Sequence, residues 1–385
     1  MEMINKYRLL ALLSASALMM FASCSSDEPN DEQQKSFVKY LGGPYRNSAC
    51  NSVQIDNKYF VLGSVGTSAN SETMSVFKID EYGNSLWERN FGNDSVPVSP
   101  AMIVKTQSGS VVAIATKHDA ESDNIYMVKL NQDGEVEFEK TYSFADNQTA
   151  QCIAELDNGN YILGGTSQKS GSGNYQLSMI VDKNGELLRE PMPRGSESEL
   201  IGTLSQLDGS EFVVGVGATM SKTSSSRHWP ILLVFSDLQS GVSASIPFSQ
   251  VEGTLVHFVQ MSDDEILACG TTEGKQGLLM SINPKSYALN WYKTYGNGQT
   301  VFNALAMVSD GTILLTGSRK TSAGDTDVLV VKVDASGNLL SEKVIGYTDD
   351  EVGSSIYESP DNHVVISATY GYENNSVIAV IKDDF

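Results

Sequence analysis

The sequence predicts an all-β fold, a seven-bladed β-propeller of four-stranded antiparallel blades with the N-terminal strand closing the last blade. Three markers recurring along the chain predict it. The first is a tight turn, Asp80-Glu81-Tyr82-Gly83, which returns as Asn131-Gln132-Asp133-Gly134, Asp182-Lys183-Asn184-Gly185 and Asp334-Ala335-Ser336-Gly337. Their first residues stand 51, 51 and 152 apart, the last step being three periods. The second is an aromatic strand ending at glycine, Trp87 to Gly92 and Trp291 to Gly296, with weaker copies at Phe138 to Ser143 and Ser341 to Gly346. The third is an apolar strand ending at Gly63, Ala115, Gly165, Val216, Gly270, Gly317 and Ala368. Seven copies at a period of about 51 indicate a repeat array rather than separate domains.

The leader comes first in chain order. Lys6 and Arg8 precede an apolar run from Leu9 to Phe21, too short to span a bilayer and suited to a signal-peptide core. It ends Phe21-Ala22-Ser23-Cys24, small residues before a cysteine. This resembles a bacterial lipoprotein box, which implies removal of residues 1–23 and lipidation (palmitate and related chains) of Cys24.

Residues 24–35 read as a lipidated cysteine and flexible tether. Ser25 to Gln34 carries Asp27, Glu28, Asp31 and Glu32 and almost no apolar side chain, so it cannot build a core. An acidic cluster after the lipidated cysteine resembles the export signal of Bacteroidota surface lipoproteins. That implies an outer-membrane location facing the cell exterior.

Residues 36–385 are the propeller. Each unit holds four strand-like runs, in the second unit Ala101 to Thr106, Val111 to Thr116, Ile125 to Leu130 and Val136 to Tyr142. Ser108-Gly109 and Asp133-Gly134 supply the tight turns. No stretch beyond the leader has a helical period, and four antiparallel strands per 50 residues is the make-up of a propeller blade. The seventh unit reaches its third strand at Val377 to Ile381. Its missing fourth strand is Phe37 to Gly42, which aligns with Trp291 to Gly296 without a gap. The N-terminal strand is therefore expected to close the ring and remove its exposed edges.

Composition narrows the function. Hydrophobic residues make up 41% and charged residues 19%, which excludes a disordered chain. Against 47 Asp and Glu stand 26 Lys and Arg, a net charge of −21, or −22 without the leader. Such a balance repels nucleic acid and anionic membrane, so membrane contact is expected only through the lipid anchor. After Cys24, an odd set remains, Cys50, Cys152 and Cys269, all in strand-like contexts and read as small core residues.

No catalytic constellation is present: no nucleophile elbow, metalloprotease motif, P-loop or dinucleotide fingerprint. The chain is read as a non-enzyme without cofactor or metal. His118, His228, His257 and His363 fall in different blades, His257 and His363 in strand-like runs, and read as structural. The Asp80 to Trp87 turn faintly resembles the Asp-box of sialidases, but its spacing differs and the chain has only seven Arg. Asp349-Asp350-Glu351 reads as a solvated loop rather than a calcium site.

What remains is a binding face. In a four-stranded blade, the second-to-third connection and the connection to the next blade share one rim, here called the first rim. Irregular loops on a rigid scaffold are where binding sits. Lys117, Lys169, Lys222, Lys275 and the pair Arg319-Lys320 place a cation at one level in blades two to six. Blade seven offers Tyr370 and Tyr372 near Tyr45 and Arg46. The blade-four stretch Met220 to Pro230, read as a long loop, adds Arg227, His228 and Trp229. A broken cationic ring with an aromatic side suits a compact anionic ligand with aromatic parts. The plainer reading is solvated lysines among Asp119, Glu121, Glu273 and Asp325.

Leader, tether and closed propeller together resemble the Bacteroidota surface lipoproteins that capture nutrients for TonB-dependent outer-membrane transporters. Two propeller groups among these bind ferric xenosiderophores or cobalamin, and the cationic rim favours the siderophore group. No short motif of theirs exists to match, so the resemblance assigns no ligand residues. Glycan binding, with Trp229, Tyr175, Tyr370 and Tyr372 as stacking platforms, and a protein-interaction scaffold are the alternatives. Fold alone does not choose among them.

Overall fold

The computed structural model describes residues 36–69, 71–168, 174–194, 199–221, 224–236, 238, 241–296, 299–346, 349–372 and 375–385, with backbone only at 174, 192–194, 221, 224–226 and 372. All its regular structure is strand. Blade one is β2 (Asn47–Ile55), β3 (Lys58–Ser68), β4 (Ser71–Ile79) and β5 (Ser85–Phe91), after a first strand β1 (Phe37–Leu41). Blade two is β6 (Val98–Lys105), β7 (Val111–His118), β8 (Asp123–Leu130) and β9 (Val136–Tyr142). Blade three is β10 (Asn147–Glu155), β11 (Tyr161–Gln168), β12 (Asn174–Val181) and β13 (Leu187–Arg194). Blade four is β14 (Leu200–Gln206), β15 (Val213–Ser221), β16 (Ser224–Phe235) and β17 (Ala244–Pro247). Blade five is β18 (Gly253–Ser262), β19 (Glu265–Thr272), β20 (Gly277–Asn283) and β21 (Ala288–Tyr295). Blade six is β22 (Thr300–Met307), β23 (Ile313–Lys320), β24 (Thr326–Val333) and β25 (Leu339–Ile345). Blade seven is β26 (Glu351–Glu358), β27 (Val364–Tyr372) and β28 (Asn375–Asp383), and its fourth strand is β1.

Closure is antiparallel, running from Phe37 opposite Lys382 to Leu41 opposite Ile378. The backbone groups of β28 that an open ring would expose are thereby paired. Hydrophobic cores lie between blades rather than within them. One cluster joins each neighbouring pair, including blades seven and one through Leu41, Tyr59, Val61, Ile378 and Val380.

The repeat markers acquire physical causes. Each innermost strand carries a one-residue bulge, at Cys50, Ala101, Gln151, Gly202, Val256, Asn303 and Ser354. A bulge turns backbone groups out of the ladder, and here the neighbouring blade takes them up. Asn51, one residue beyond the bulge, accepts the Ile103 N–H (2.9 Å) and donates to its carbonyl (2.8 Å). His257 accepts the Leu305 N–H (3.4 Å) from the same position, and Ser355 that of Ser52 (3.2 Å).

The small residue of the third marker stands opposite the residue before the bulge. The pairs are Ala49 with Gly63, Pro100 with Ala115, Ala150 with Gly165, Leu255 with Gly270, Phe302 with Gly317 and Gly353 with Ala368. In blade four that partner is Gly217, opposite Ile201, and not Val216 as the spacing suggested. A Cβ at Gly165, Gly217, Gly270 or Gly317 would penetrate the carbonyl oxygen of the preceding strand, so the side chain must be absent.

The turn and aromatic markers meet each other across blades. A Cβ on Gly134 would stand 2.9 Å from the Trp87 indole, one on Gly185 2.8 Å from Phe138, and one on Gly337 2.8 Å from Trp291. Trp87 Nε1 donates to the Gln132 carbonyl (3.0 Å), and the Tyr142 and Tyr295 hydroxyls donate to Gly185 (2.7 Å) and Gly337 (2.6 Å). The outer strand of one blade thus clamps the last turn of the next.

Candidate ligand-binding rim

The first rim carries the second-to-third connections and the crossings between blades. Lys117 is the penultimate residue of β7, half-buried, with Nζ 3.8 Å from Asp119. Its neighbour His118 sits between Ser99 Oγ (2.9 Å) and Asp123 (2.8 Å). Arg227, His228 and Trp229 are not in a loop: β15 runs to Ser221 and β16 starts at Ser224, with His228 opposite Met220 and Trp229 opposite Thr219. Arg227 pairs with Glu252 at 2.8 Å, and His228 donates its N–H to Glu273 (2.9 Å) with its ring 3.2 Å away.

Arg319 reaches across β24 to grip Glu342 of the outer strand at 2.8 and 2.9 Å. That bond lifts the Arg319 pKa and lowers that of Glu342. Lys275 is exposed with φ 57°, a turn residue whose carbonyl accepts the Thr300 N–H. Lys320 and Arg46 are also exposed. Among the described residues, Arg46, Lys275 and Lys320 have no acidic partner. Lys169, Lys222, Cys24 and the Tyr372 side chain lie outside the described residues.

Tyr370 is 5% exposed and belongs to the core between blades six and seven, its ring 6.2 Å from that of Tyr40. Burial therefore removes it from the rim surface. Tyr175 is half-buried. Tyr45 is 40% exposed, beside Arg46.

Two clefts open on either side of the β3–β4 hairpin. One, of about 490 Å³ between blades seven and one, is lined by Arg46, Glu72, Asp349, Asp350, Asn375 and Ser376. The other, of about 450 Å³ towards blade two, is lined by Thr67, Thr73, Asn90, Asn93, Asp94 and Ser95. Gly66 sits between them, donating its N–H to Arg46 (2.8 Å), and has no room for a Cβ beside Tyr45. The polar groups are held in place: Glu72 accepts Ser64 Oγ (2.5 Å), Asp350 accepts Thr326 N and Oγ1 (2.8 Å each), and Asn93 Oδ1 accepts the Ser95 N–H (2.9 Å). Fixed carboxylates, amides and hydroxyls beside an exposed aromatic can hydrogen-bond hydroxyl groups and stack on an apolar ring face. The sequence pattern pointed to the rim and to Arg46 but not to the clefts: the first joins stretches some 300 residues apart, and the second is built from polar loop residues between 65 and 95.

The remaining titratable groups are structural in setting. His257 stands on β18, the innermost strand of blade five, where burial lowers its pKa to about 4 and leaves it a neutral acceptor for Leu305. His363 precedes β27 rather than lying within it and is bonded to the Asp361 carbonyl (3.0 Å). Cys50, Cys152 and Cys269 are free thiols, the latter two buried. Burial, with a smaller contribution from Glu72, pushes the half-exposed Cys50 up to about 12. Among the described residues no three His, Cys, Asp or Glu side chains gather as a metal site.

No protein-family model and no curated protein matches the chain. Among solved structures it is similar to the WD40 domain of Neurospora crassa Pan2, with 11% identity and a TM-score of 0.53 over 90% of this chain and 96% of that one. The likeness establishes the propeller fold alone.

Proposed function

We propose that the protein is a non-catalytic capture propeller, tethered to the outer membrane through Cys24 and facing the cell exterior. It presents its first rim to a small ligand and hands that ligand to a TonB-dependent transporter. The leader and acidic tether support the location, and the two clefts on the first rim support the binding face. A polyhydroxylated ligand, a glycan, is the class this geometry favours. The carrying observation is that both clefts are lined by preorganised amides, hydroxyls and carboxylates, with the exposed Tyr45 next in the chain to Arg46 at the wall of the first.

A ferric catecholate siderophore is the second reading. It rests on the exposed cations Arg46, Lys275 and Lys320, together with Lys169 and Lys222. The pairing of Lys117, Arg227, His228 and Arg319 with carboxylates weakens it, because a paired cation offers little net field to a trianion. Titration with a panel of neutral oligosaccharides and with ferric enterobactin separates the readings. Binding of an oligosaccharide that Tyr45→Ala weakens about tenfold supports the first. Ferric enterobactin binding with no oligosaccharide binding moves the second ahead, and binding of neither overturns both.

A further inference from the structure

The outer-strand position that Trp87 holds in blade one is filled differently around the ring. Cross-strand register carries Phe60, Lys78 and Trp87 of blade one onto Val214, Val234 and Ala244 of blade four. Corresponding positions hold Phe138 in blade two, Trp291 in blade five and, on the closing strand of blade seven, Phe37, while blade three has Arg189 and blade six Ser341. Those rings pack on a turn glycine of the next blade. Blade four has alanine there, and a cavity of about 280 Å³ lies between blades four and five, lined by Val214 and by Val234, the strand partner of Ala244.

Val214 and Val234 are buried and belong to the core against which Ala244 packs. Phe212 and Tyr287 also line the cavity and stand 48% and 39% exposed, well beyond what a core position needs. Tyr287 has φ 63°, the left-handed conformation that Gly83, Gly134, Gly185 and Gly337 supply in the matching turns of other blades. A bulky side chain there costs backbone energy, so the aromatic is kept at a place where glycine would be easier. The blade-four turn at 207–212 that carries Phe212 is also one residue longer than those at 106–110, 156–160, 308–312 and 359–363. Asp208 stands at the cavity wall as an acceptor, and Asp263 stands there with Lys285 Nζ 3.6 Å away.

We propose that this inter-blade cavity is a binding site for a small planar aromatic molecule of indole or phenol size, bearing an N–H or O–H donor. The chain holds such a ring elsewhere, where Trp87 packs edge-on to Phe60 at 5.8 Å and donates to a turn carbonyl. The volume exceeds the roughly 150 Å³ of a protein cavity that takes up benzene. The site is on the rim opposite the first, formed by the first-to-second and third-to-fourth turns, and is independent of the Tyr45 clefts.

Calorimetric titration of the intact protein with indole and with phenol tests it. Saturable one-to-one binding with a Kd below about 1 mM is expected for one or both. Ala244→Trp fills the cavity from within and should abolish that binding while raising Tm. Tyr287→Gly removes one wall and relieves the backbone, so it should weaken binding at least about fivefold without lowering Tm. Tyr45→Ala should leave indole binding unchanged. No saturable binding by the parent, or parent-like binding in a folded Ala244→Trp or Tyr287→Gly variant, overturns the proposal.

Discussion

Phe37 lies against Gly83, so that a Cβ on that glycine would stand 2.9 Å from Phe37 Cδ2. This is the contact that Trp87 makes with Gly134 and Trp291 with Gly337, made here by the first strand of the domain on the first blade. One residue pair therefore shows why the N-terminal strand is the fourth strand of blade seven. It supplies both the missing ladder and the missing clamp.

Phe37→Ala should therefore loosen the closure without abolishing it. The ring is half-buried, so a loss of about 2 kcal/mol is expected, below that of a fully buried Phe→Ala change. Denaturant melts check it. Deleting 36–43 should be far worse, since it leaves the β28 edge unpaired, and a deletion variant that melts like the parent would refute the closure.

Gly217→Ala should cost about 2–3 kcal/mol, and Val216→Ala should act only as an ordinary core truncation. The reason is the Leu200 carbonyl, which occupies the space of a Gly217 side chain. Thermal melts of the two variants distinguish the bulge account from a simple preference for small residues.

The closure also predicts an acid-sensitive element. Lys382, whose side chain is 1% exposed, holds Asp361 at 2.8 Å. Desolvation pushes the Asp361 carboxyl up, but hydrogen bonds from Lys382 and Ser359 and the Lys382 charge outweigh it and hold the group at about 2. A depressed carboxylate contributes stability above its unfolded pKa of about 3.9, and that stability is lost as pH falls from about 4 to about 2. The contribution is at most about 2–3 kcal/mol, less for the part of Asp361 that stays exposed. Asp361→Asn should flatten this part of the stability profile and also destabilise at pH 7, because it leaves a buried ammonium short of its partner.

Anchoring is tested at the leader. Cys24→Ala should abolish acylation and release the protein from membranes, because the acidic tether has no membrane affinity of its own. Fractionation with radiolabelled palmitate reads this out, and protease shaving of intact cells reads out orientation. Full membrane retention in the mutant would count against the lipoprotein reading.

The fold was legible because its determinants are local and repeated: a turn glycine, an aromatic and a small residue per 51-residue period. The bulge was not legible, since it appears only in strand register, which is why Gly217 was passed over for Val216. Met220 to Pro230 looked like a loop because Ser and Arg on a rim-extended hairpin lack the alternation of a half-buried strand. The rim cations showed their level in the sequence but not their partners. Glu252 and Glu273 lie 25 and 45 residues from Arg227 and His228 and reach them only through the packing of blade five on blade four.

Salt separates the candidate ligands on one instrument. Oligosaccharide and ferric enterobactin affinities, measured by calorimetry at low and high ionic strength, test the central claim that the first rim captures a polyhydroxylated ligand through the clefts beside Tyr45. The account predicts oligosaccharide binding that changes little with salt and is lost in a Tyr45→Ala, Asp94→Ala double variant, because hydrogen bonding and stacking are only weakly screened. Contradiction would be binding confined to ferric enterobactin, falling steeply with salt and untouched by the double variant.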